Sequence, residues 1–252
     1  MESCDFLGLL KEQGHWPPAP VAVPEGKVEP VEGTTILAVR YADGVLVAGD
    51  RRATMGNMVV YDRADKVLSI DDDAVMAIAG SPAIAYDIAR MLEMSVQYYR
   101  RSQLQRLSLD GKLRTLSRLL RQNLPMALQG IGAVVPIFAV FDQDVDRGKI
   151  FFYDLLGAEF ESVDFCTTGS GSHLIRGALY YQNRWGPVPL REMAEEQAVE
   201  QVIKMLETAA EYDTATGGFR ETARVFPQVM RVRATGLSAV PESELARFYE
   251  RA

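Results

Sequence analysis

The sequence has few residues that could form a disulfide, a thiolate metal site or a histidine-based catalytic site. Its 252 residues include two cysteines, Cys4 and Cys166, and two histidines, His15 and His173. There is no Cys-x-x-Cys motif and no metal-ligand spacing around either histidine, so we expect no disulfide, no metal ion and no organic cofactor. A Ser-His-Asp or Cys-His arrangement would have to use His173, whose simpler interpretation is a surface residue at a helix start.

An excess of positive charge and long apolar runs are also lacking. The formal charge is −7, with 34 acidic and 27 basic residues, which argues against a nucleic-acid partner because phosphate binding needs clustered Lys and Arg. No segment approaches the roughly 18 consecutive apolar residues of a membrane span. The N-terminus carries Glu2 and Asp5 where a secretory signal needs positive charge. We therefore expect no membrane association and a cytoplasmic location.

Residues 1–33 differ in composition from the rest of the chain. They contain five of the twelve prolines and six acidic residues against two basic ones. Closely spaced prolines block both helices and central strands, so this leader should be extended or disordered. Residues 34–252 should form a single domain. Composition favours a mobile tail for residues 1–33, and a removable propeptide is the alternative.

From Thr34 onward the sequence alternates between strand and helix patterns. Two short runs, TTILAVRY and GVLVAGD, flank an Asp-Gly turn typical of a hairpin. We predict a second pair formed by NMVVYD and KVLSID, followed by AVMAIAG. Two helices come next, and Pro125 should kink the second. They are followed by a strand meander ending in EFESVDFC, two more helices, the late strand FPQVMRVRATG and a short C-terminal helix. This order indicates an α+β protein with antiparallel sheets covered by helices.

Three groups of polar residues could carry chemistry, and each also has a purely structural interpretation. Asp50 ends a strand beside two arginines, either as a turn residue or as a carboxylate that orients a cation. Lys66 begins an apolar strand, either at a sheet edge or turned inward, where it could lower the pKa of a neighbouring group. The stretches TTGSGSH at 167–173 and DTATGG at 213–218 could be simple turns, since they lack the lysine of a phosphate-binding loop.

Taken in chain order, these motifs resemble the β-type subunit of the proteasome core particle. GTTI after a leader, Gly-Asp, an isolated Lys, Ala-Gly before a helix, GSGS before another and DxxTGG after a long helix follow one another over nearly all of residues 34–252. GDRRAT, DTATGG and VPES are similar to the bacterial branch. The resemblance implies a threonine endopeptidase with the N-terminal-nucleophile hydrolase fold, a four-layer αββα sandwich of two antiparallel sheets.

The resemblance also implies a role for each matching residue. The leader would be cleaved autocatalytically between Gly33 and Thr34, which makes Thr34 the N-terminal nucleophile. Asp50 and Lys66 match the family's aspartate and lysine beside the threonine, and the backbone N–H of Gly80 matches the oxyanion donor. The remaining polar residues of the site would be Ser170, Asp213 and Thr216. Thr216 stands where archaeal and eukaryotic members commonly have Ser, and it keeps the hydroxyl.

A free α-amino group is a chemically suitable base for this site. A threonine hydroxyl needs a base within hydrogen-bond reach, and the reference pKa of an α-amino group, about 7.7 to 8.0, lies near neutral pH. While the leader is attached, that nitrogen is an amide and cannot act as a base. Removal of the leader would therefore create the catalyst.

Substrate preference and partners are implied by the same resemblance. The pocket residues would be Ala53, Thr54, Ala64, Ile78 and Pro82. Because this set has no charge, we predict a preference for hydrophobic residues before the cleaved bond. The implied partners are other β-subunits in heptameric rings, α-subunit rings, a ring ATPase and protein substrates tagged with a small ubiquitin-like protein.

Two related alternatives share part of the pattern. An HslV-type peptidase has the TTI, Gly-Asp and Lys elements but usually lacks a long leader and the TGG element. A non-catalytic ring subunit of the same fold would have a helix ahead of the first strand rather than a Gly-Thr junction.

Overall fold

Two five-stranded antiparallel sheets form the centre of the molecule in a computed structural model that describes residues 33–56, 58–130 and 132–250. Residues 1–32 of the leader lie outside these ranges, so its extended conformation and its removal stay predictions. One sheet has the order β10-β1-β2-β11-β12 and the other the order β5-β6-β7-β8-β9, while β3 and β4 form a separate ribbon. The predicted α+β class and αββα sandwich are confirmed.

The strands in chain order are β1 (Thr35–Tyr41), β2 (Gly44–Gly49), β3 (Ala53–Met55), β4 (Met58–Tyr61), β5 (Val67–Asp71), β6 (Ala74–Ala77), β7 (Ile137–Asp142), β8 (Arg147–Tyr153), β9 (Glu159–Ser162), β10 (Phe165–Gly169), β11 (Gln228–Arg233) and β12 (Gly236–Ala239). The α-helices are α1 (Pro82–Gln103), α2 (Leu109–Ala127), α3 (Ser172–Trp185), α4 (Glu195–Tyr212) and α5 (Glu242–Tyr249).

Three apolar layers hold the sandwich together. Alternate residues of a strand face opposite sides of its sheet, so Leu37 and Val39 of β1 pack against α3 and α4, whereas Ile36 and Ala38 pack against the second sheet. Helices α1 and α2 cover the outer face of that second sheet. Both faces of β1 and β2 are therefore buried, which explains their almost unbroken apolar sequence.

Two predicted strand pairings are wrong. NMVVYD does not pair with KVLSID, because β4 folds back on β3 through a turn in which Gly56 has a φ of 56°, and β5 pairs with β6. The predicted strand EFESVDFC is divided between the sheets: β9 pairs with β8, and β10 pairs with β1. The chain changes sheets at Asp164, whose carbonyl accepts a 2.8 Å hydrogen bond from the Arg40 N–H.

Helix α2 includes Pro125, as predicted, and ends at Ala127, where the N–H of Leu128 bonds to the carbonyl of Leu124 at 2.9 Å. The kink expected at Pro125 stays a prediction. A further difference from the predicted elements follows β11. The strand β12 was not predicted, and it pairs with β11 across a short turn at 234–235.

The ends of four strands meet at one edge of the sandwich. Ile36 pairs with Gly49 of β2, and Thr35 pairs with Gly169 of β10. A side chain on Gly169, whose φ is 99°, would overlap the carbonyl oxygen of Thr34, so only glycine lets β10 approach this closely. Asp50 follows β2 and Lys66 precedes β5, which places both beside the start of β1.

Candidate active site

Thr34 is fixed from both sides at the start of β1. Its side-chain hydroxyl donates to the carbonyl oxygen of Gly33 at 2.7 Å. Its own carbonyl oxygen accepts from the backbone N–H of Ser170 at 2.8 Å, and the Ser170 hydroxyl, whose proton goes to Asp213, lies 3.2 Å from the same oxygen. Only 6% of Thr34 is exposed, so the hydroxyl is held in one place next to the Gly33–Thr34 peptide bond.

Lys66 turns inward and binds three oxygen atoms. Its Nζ lies 2.8 Å from Asp50 Oδ1 and 2.9 Å from the carbonyl oxygen of Gly33, and it also donates to the carbonyl of Arg52. These three acceptors match the three donors of an ammonium group. Burial lowers the pKa of Lys66, and the Asp50 carboxylate opposes that effect without cancelling it.

The Asp50 carboxylate is completely buried and held by backbone groups as well as by Lys66. Oδ1 accepts from the N–H of Thr35 at 2.8 Å, and Oδ2 accepts from the N–H groups of Arg52 and Gly217, each at 2.9 Å. A carboxylate with this many donors cannot rotate without losing hydrogen bonds. Asp50 therefore fixes the position of the Lys66 ammonium and connects β1 to the TGG turn.

Asp213 organises a second group of polar side chains on the other side of Thr34. Its Oδ2 accepts from the hydroxyls of Ser170 and Thr216, each at 2.6 Å, and its Oδ1 accepts from the Ala215 N–H at 3.0 Å. Partial burial alone would raise the pKa of Asp213, but these hydrogen bonds outweigh it and hold the pKa below its usual value.

Thr35 extends this group into a chain of hydrogen bonds. The Thr216 hydroxyl donates to Asp213, so the 2.6 Å contact between the hydroxyls of Thr35 and Thr216 has Thr35 as its donor. The Thr35 hydroxyl in turn accepts from the Gly171 N–H at 3.0 Å. The predicted residues Ser170, Asp213 and Thr216 are therefore brought together around β1.

The sequence analysis did not assign Thr35 or Arg52 to the candidate site. The guanidinium of Arg52 donates to the carbonyls of Thr214 and Thr216 at 3.0 and 3.1 Å, and its backbone binds both Asp50 and Lys66. The sequence carries only a weak signal for Arg52, because nothing in it distinguishes Arg52 from its neighbour Arg51. Arg51 forms an ordinary ion pair with the exposed Asp65.

An apolar cleft of about 880 Å³ opens beside Thr34 and Lys66. The predicted substrate-binding and oxyanion residues that line it are Ala53, Ala64, Ile78, Gly80 and Pro82. The cleft also includes Met55, Tyr61 and Tyr86, which the sequence analysis did not assign.

Two glycines and one threonine shape the inner end of this cleft. Gly80 has a φ of 102°, and a side chain there would overlap the carbonyl oxygen of Ala133, so the position requires glycine. Thr54 is buried beneath Gly33, and its Oγ1 occupies the place that a side chain on Gly33 would need. Thr54 packs closely against Gly33 and does not line the cleft, and its predicted role in substrate binding stays a prediction.

Comparison with known proteins identifies the family to which this site belongs. The family model described as "Proteasome subunit" matches residues 31–225. The chain belongs to the proteasome subunit family. It is 41% identical over 218 residues to proteasome subunit beta 2 of Thermomonospora curvata, which covers 86% of this chain and 75% of that protein. It is 37% identical over 251 residues to proteasome subunit beta of Streptomyces griseus, covering 97% and 87% of the two chains.

These relatives agree with the resemblance seen in the sequence. Both are bacterial β-type proteasome subunits, so the predicted branch of the proteasome family is confirmed. Within residues 33–56, 58–130 and 132–250, no helix is long and apolar enough to cross a membrane. The same ranges contain no group of three or more His, Cys, Asp or Glu residues that could hold a metal ion.

Proposed function

We propose that this chain is the peptide-hydrolysing β-subunit of a proteasome core particle and that Thr34 is its nucleophile once the leader has been removed. One observation carries the proposal. The Thr34 hydroxyl lies at the end of an apolar cleft, within hydrogen-bond distance of a carbonyl oxygen that the buried Lys66 also binds. A hydroxyl, an activated carbonyl and a peptide-sized cleft together favour acyl transfer.

The uncleaved chain is arranged for removal of its own leader. In this proposal, Thr34 Oγ adds to the carbonyl carbon of Gly33, and Lys66 Nζ stabilises the negative charge that develops on the Gly33 oxygen. The Oγ proton passes to the Thr34 nitrogen as the C–N bond breaks, which leaves the leader as an ester on Oγ and a free amino group on Thr34. Water hydrolyses the ester, and the leader departs with a carboxylate at Gly33.

The same hydroxyl would then act on substrates. The free amino group of Thr34 accepts the hydroxyl proton as Oγ attacks the substrate carbonyl, and the N–H of Gly80 stabilises the oxyanion. The Lys66 ammonium lowers the pKa of that amino group by charge repulsion, and Asp50 keeps the ammonium in place. The substrate C–N bond then breaks as the Thr34 ammonium gives its proton to the departing amine, which leaves an acyl ester on Oγ. Water hydrolyses this ester and completes the reaction without a metal or a cofactor.

The surroundings of Thr34 support a preference for hydrophobic side chains before the cleaved bond. Arg63 and Asp65 also line the cleft, but both are engaged, since Arg63 binds the carbonyl of Ala223 at 3.1 Å and Asp65 pairs with Arg51 at 2.9 Å. By analogy with the β-subunits it matches, we propose that the chain works in the cytoplasm in heptameric rings between α-subunit rings. A ring ATPase would deliver tagged substrates.

Intact-mass measurement on particles assembled with the partner α-subunit tests this proposal. Wild-type chain should begin at Thr34, and Thr34→Ala should keep its leader. Thr34→Ser, which keeps a hydroxyl, should still lose it. Retention of all 252 residues by the assembled wild type, or equal loss of the leader from Thr34→Ala, would contradict the proposal. Fluorogenic peptides with hydrophobic, acidic or basic residues before the cleaved bond then test the preference.

A further inference from the structure

Glu207 of helix α4 binds the chain directly after the TGG turn, and it has no part in the mechanism described above. Its Oε1 accepts from the backbone N–H of Phe219 at 2.9 Å. Its Oε2 lies against Gly218, where a side chain would come within 2.9 Å of that oxygen. One carboxylate therefore contacts two consecutive residues at the end of the turn.

Tyr249, the last residue of α5, holds both partners of this contact. Its hydroxyl donates to Glu207 Oε1 at 2.7 Å. Its ring stacks on the ring of Phe219, with 4.2 Å between the centroids and 26° between the planes. Phe219 also stacks on the buried ring of Phe226 at 4.9 Å. A carboxylate oxygen with two donors and a ring stacked on two others have little freedom to move.

The segment held in this way is connected to the buried ion pair of the candidate site. Only Gly218 separates Phe219 from Gly217, whose N–H donates to Asp50 Oδ2 at 2.9 Å. Asp50 Oδ1 in turn binds Lys66 Nζ at 2.8 Å. A shift of the backbone at Phe219 would therefore reach the ion pair through a single hydrogen bond.

The two glycines between these contacts depend on their neighbours for their position. Glycine has no side chain to pack and has access to more backbone conformations than any other residue. On the N-terminal side of the pair, Arg52 binds the carbonyl of Thr216 at 3.1 Å. On the C-terminal side, Glu207 binds the N–H of Phe219. The glycine pair is thus fixed at both ends, and Glu207 supplies the second anchor.

We propose that Glu207, held in place by Tyr249, is a positioning residue for peptide hydrolysis. It fixes the Gly217 N–H, which sets the position of Asp50 and, through Asp50, of Lys66. Glu207 does not line the apolar cleft, so it acts through the backbone of the turn and not on the substrate. This inference rests on the proposed function, because it requires the chain to cut peptides.

Steady-state hydrolysis of one fluorogenic peptide tests the inference, on assembled particles whose intact mass shows that the leader is gone. Glu207→Ala should lower kcat/KM about three- to thirtyfold, mainly through kcat, because the cleft is unchanged. Glu207→Gln should stay within about twofold of wild type, since its amide oxygen can accept the same two hydrogen bonds. Glu200→Ala is the matched control, because Glu200 lies on the same helix and pairs with Lys204 at 2.7 Å.

The pH profile separates positioning from a mere loss of folded particles, which lowers the activity equally at every pH. Asp50, Arg52 and Asp213 are charged groups that act on Lys66. If Asp50 is held less firmly, it stabilises the Lys66 ammonium less, and the pKa of the Thr34 amino group rises because the repulsion from that cation weakens. The acid limb of kcat/KM should therefore move to higher pH in Glu207→Ala.

Two conservative variants complete the pH measurement. Glu207→Gln loses the charge but keeps the hydrogen bonds, so its acid limb should stay at the wild-type pH. Tyr249→Phe loses the hydroxyl but keeps the ring, so its acid limb should move in the same direction as that of Glu207→Ala, by a smaller amount. Tyr249→Phe also carries the test if Glu207→Ala does not assemble.

The outcomes distinguish this inference from the proposed function. If wild type and Thr34→Ala hydrolyse the peptide equally fast, or neither does, the proposed function is wrong. If hydrolysis depends on Thr34 but the acid limbs of Glu207→Ala and Tyr249→Phe coincide with that of wild type, the positioning role alone is overturned. An equal shift in Glu200→Ala would overturn it as well.

Discussion

Lys66 Nζ lies 2.9 Å from the carbonyl oxygen of Gly33 and 2.8 Å from Asp50 Oδ1, so a single buried cation contacts both the bond before Thr34 and the carboxylate that anchors β1. Lys66 is therefore in contact both with a carboxylate that stabilises the fold and with the peptide bond that the proposed reaction would cut. Under the proposed function, a substitution there should affect the stability of the fold as well as the cleavage of the leader, so the two effects need separate measurements.

Replacing Lys66 with Met should abolish leader removal and destabilise the subunit. Breaking a buried ion pair by removing one partner costs about 3 to 5 kcal/mol because the other charge stays buried. Intact mass reports the leader, and thermal unfolding reports stability. The double variant Lys66→Met with Asp50→Asn should recover much of the lost stability, since no unpaired charge remains, yet still keep its leader. Normal leader removal by either variant would show that Lys66 is dispensable.

Gly33→Ala should slow leader removal because the new methyl group has no room. The φ of Gly33 is 149°, and a side chain there would overlap Thr54 Oγ1 and lie 3.0 Å from the Cβ of Ala215. Thr54→Ala in the same chain removes the closest obstacle and should restore part of the rate, with Thr54→Ala alone as the control. A time course of intact mass measures all three variants. Equal rates for Gly33→Ala and wild type would contradict the tight packing at Gly33.

Asp213→Asn should destabilise the subunit in a pH-dependent way. The hydrogen bonds from Ser170, Thr216 and Ala215 hold the folded-state pKa of Asp213 below its ordinary value of 3.8. Its contribution to stability is therefore fully present above that ordinary value and is lost as the pH falls through the lower folded-state pKa. Urea unfolding at several pH values should give a constant difference between wild type and Asp213→Asn above about pH 5. A difference that already disappears near pH 6 would mean that the pKa is raised.

Local sequence patterns predicted most of the fold, and they failed where tertiary contacts decide strand pairing. The apolar runs around Ile36 and Val47 were predicted correctly as strands. A strand that is buried on both faces carries apolar residues at almost every position, and such a run is visible in the sequence. Nothing local in EFESVDFC reveals that β9 and β10 belong to different sheets, since that choice depends on the free edge of β1. The sequence also did not reveal that β4 pairs with β3, because β3 has only three residues and is too short to show a strand pattern.

For the candidate site, too, local sequence patterns identified some residues, and residues defined by tertiary contacts were missed. Asp50, Lys66 and Asp213 could be assigned because a charged residue in a glycine-rich or apolar context is conspicuous, and the order of the motifs resembled a known family. Arg52 was missed because its contacts are to the carbonyls of Thr214 and Thr216, about 160 residues away in the chain. Backbone carbonyls leave no signature in a sequence, so residues that bind them are invisible until the fold is known.

Thr35 determines what the molecule would look like after the leader has gone. Its N–H binds Asp50, its carbonyl accepts from the Asp50 N–H, and its hydroxyl bonds to both Gly171 and Thr216. A chain cut before Thr34 would therefore begin a single residue ahead of a firmly tethered position. The new amino terminus would have almost no freedom to fray, and the catalyst would be complete at the moment of the cut, with no refolding step in between.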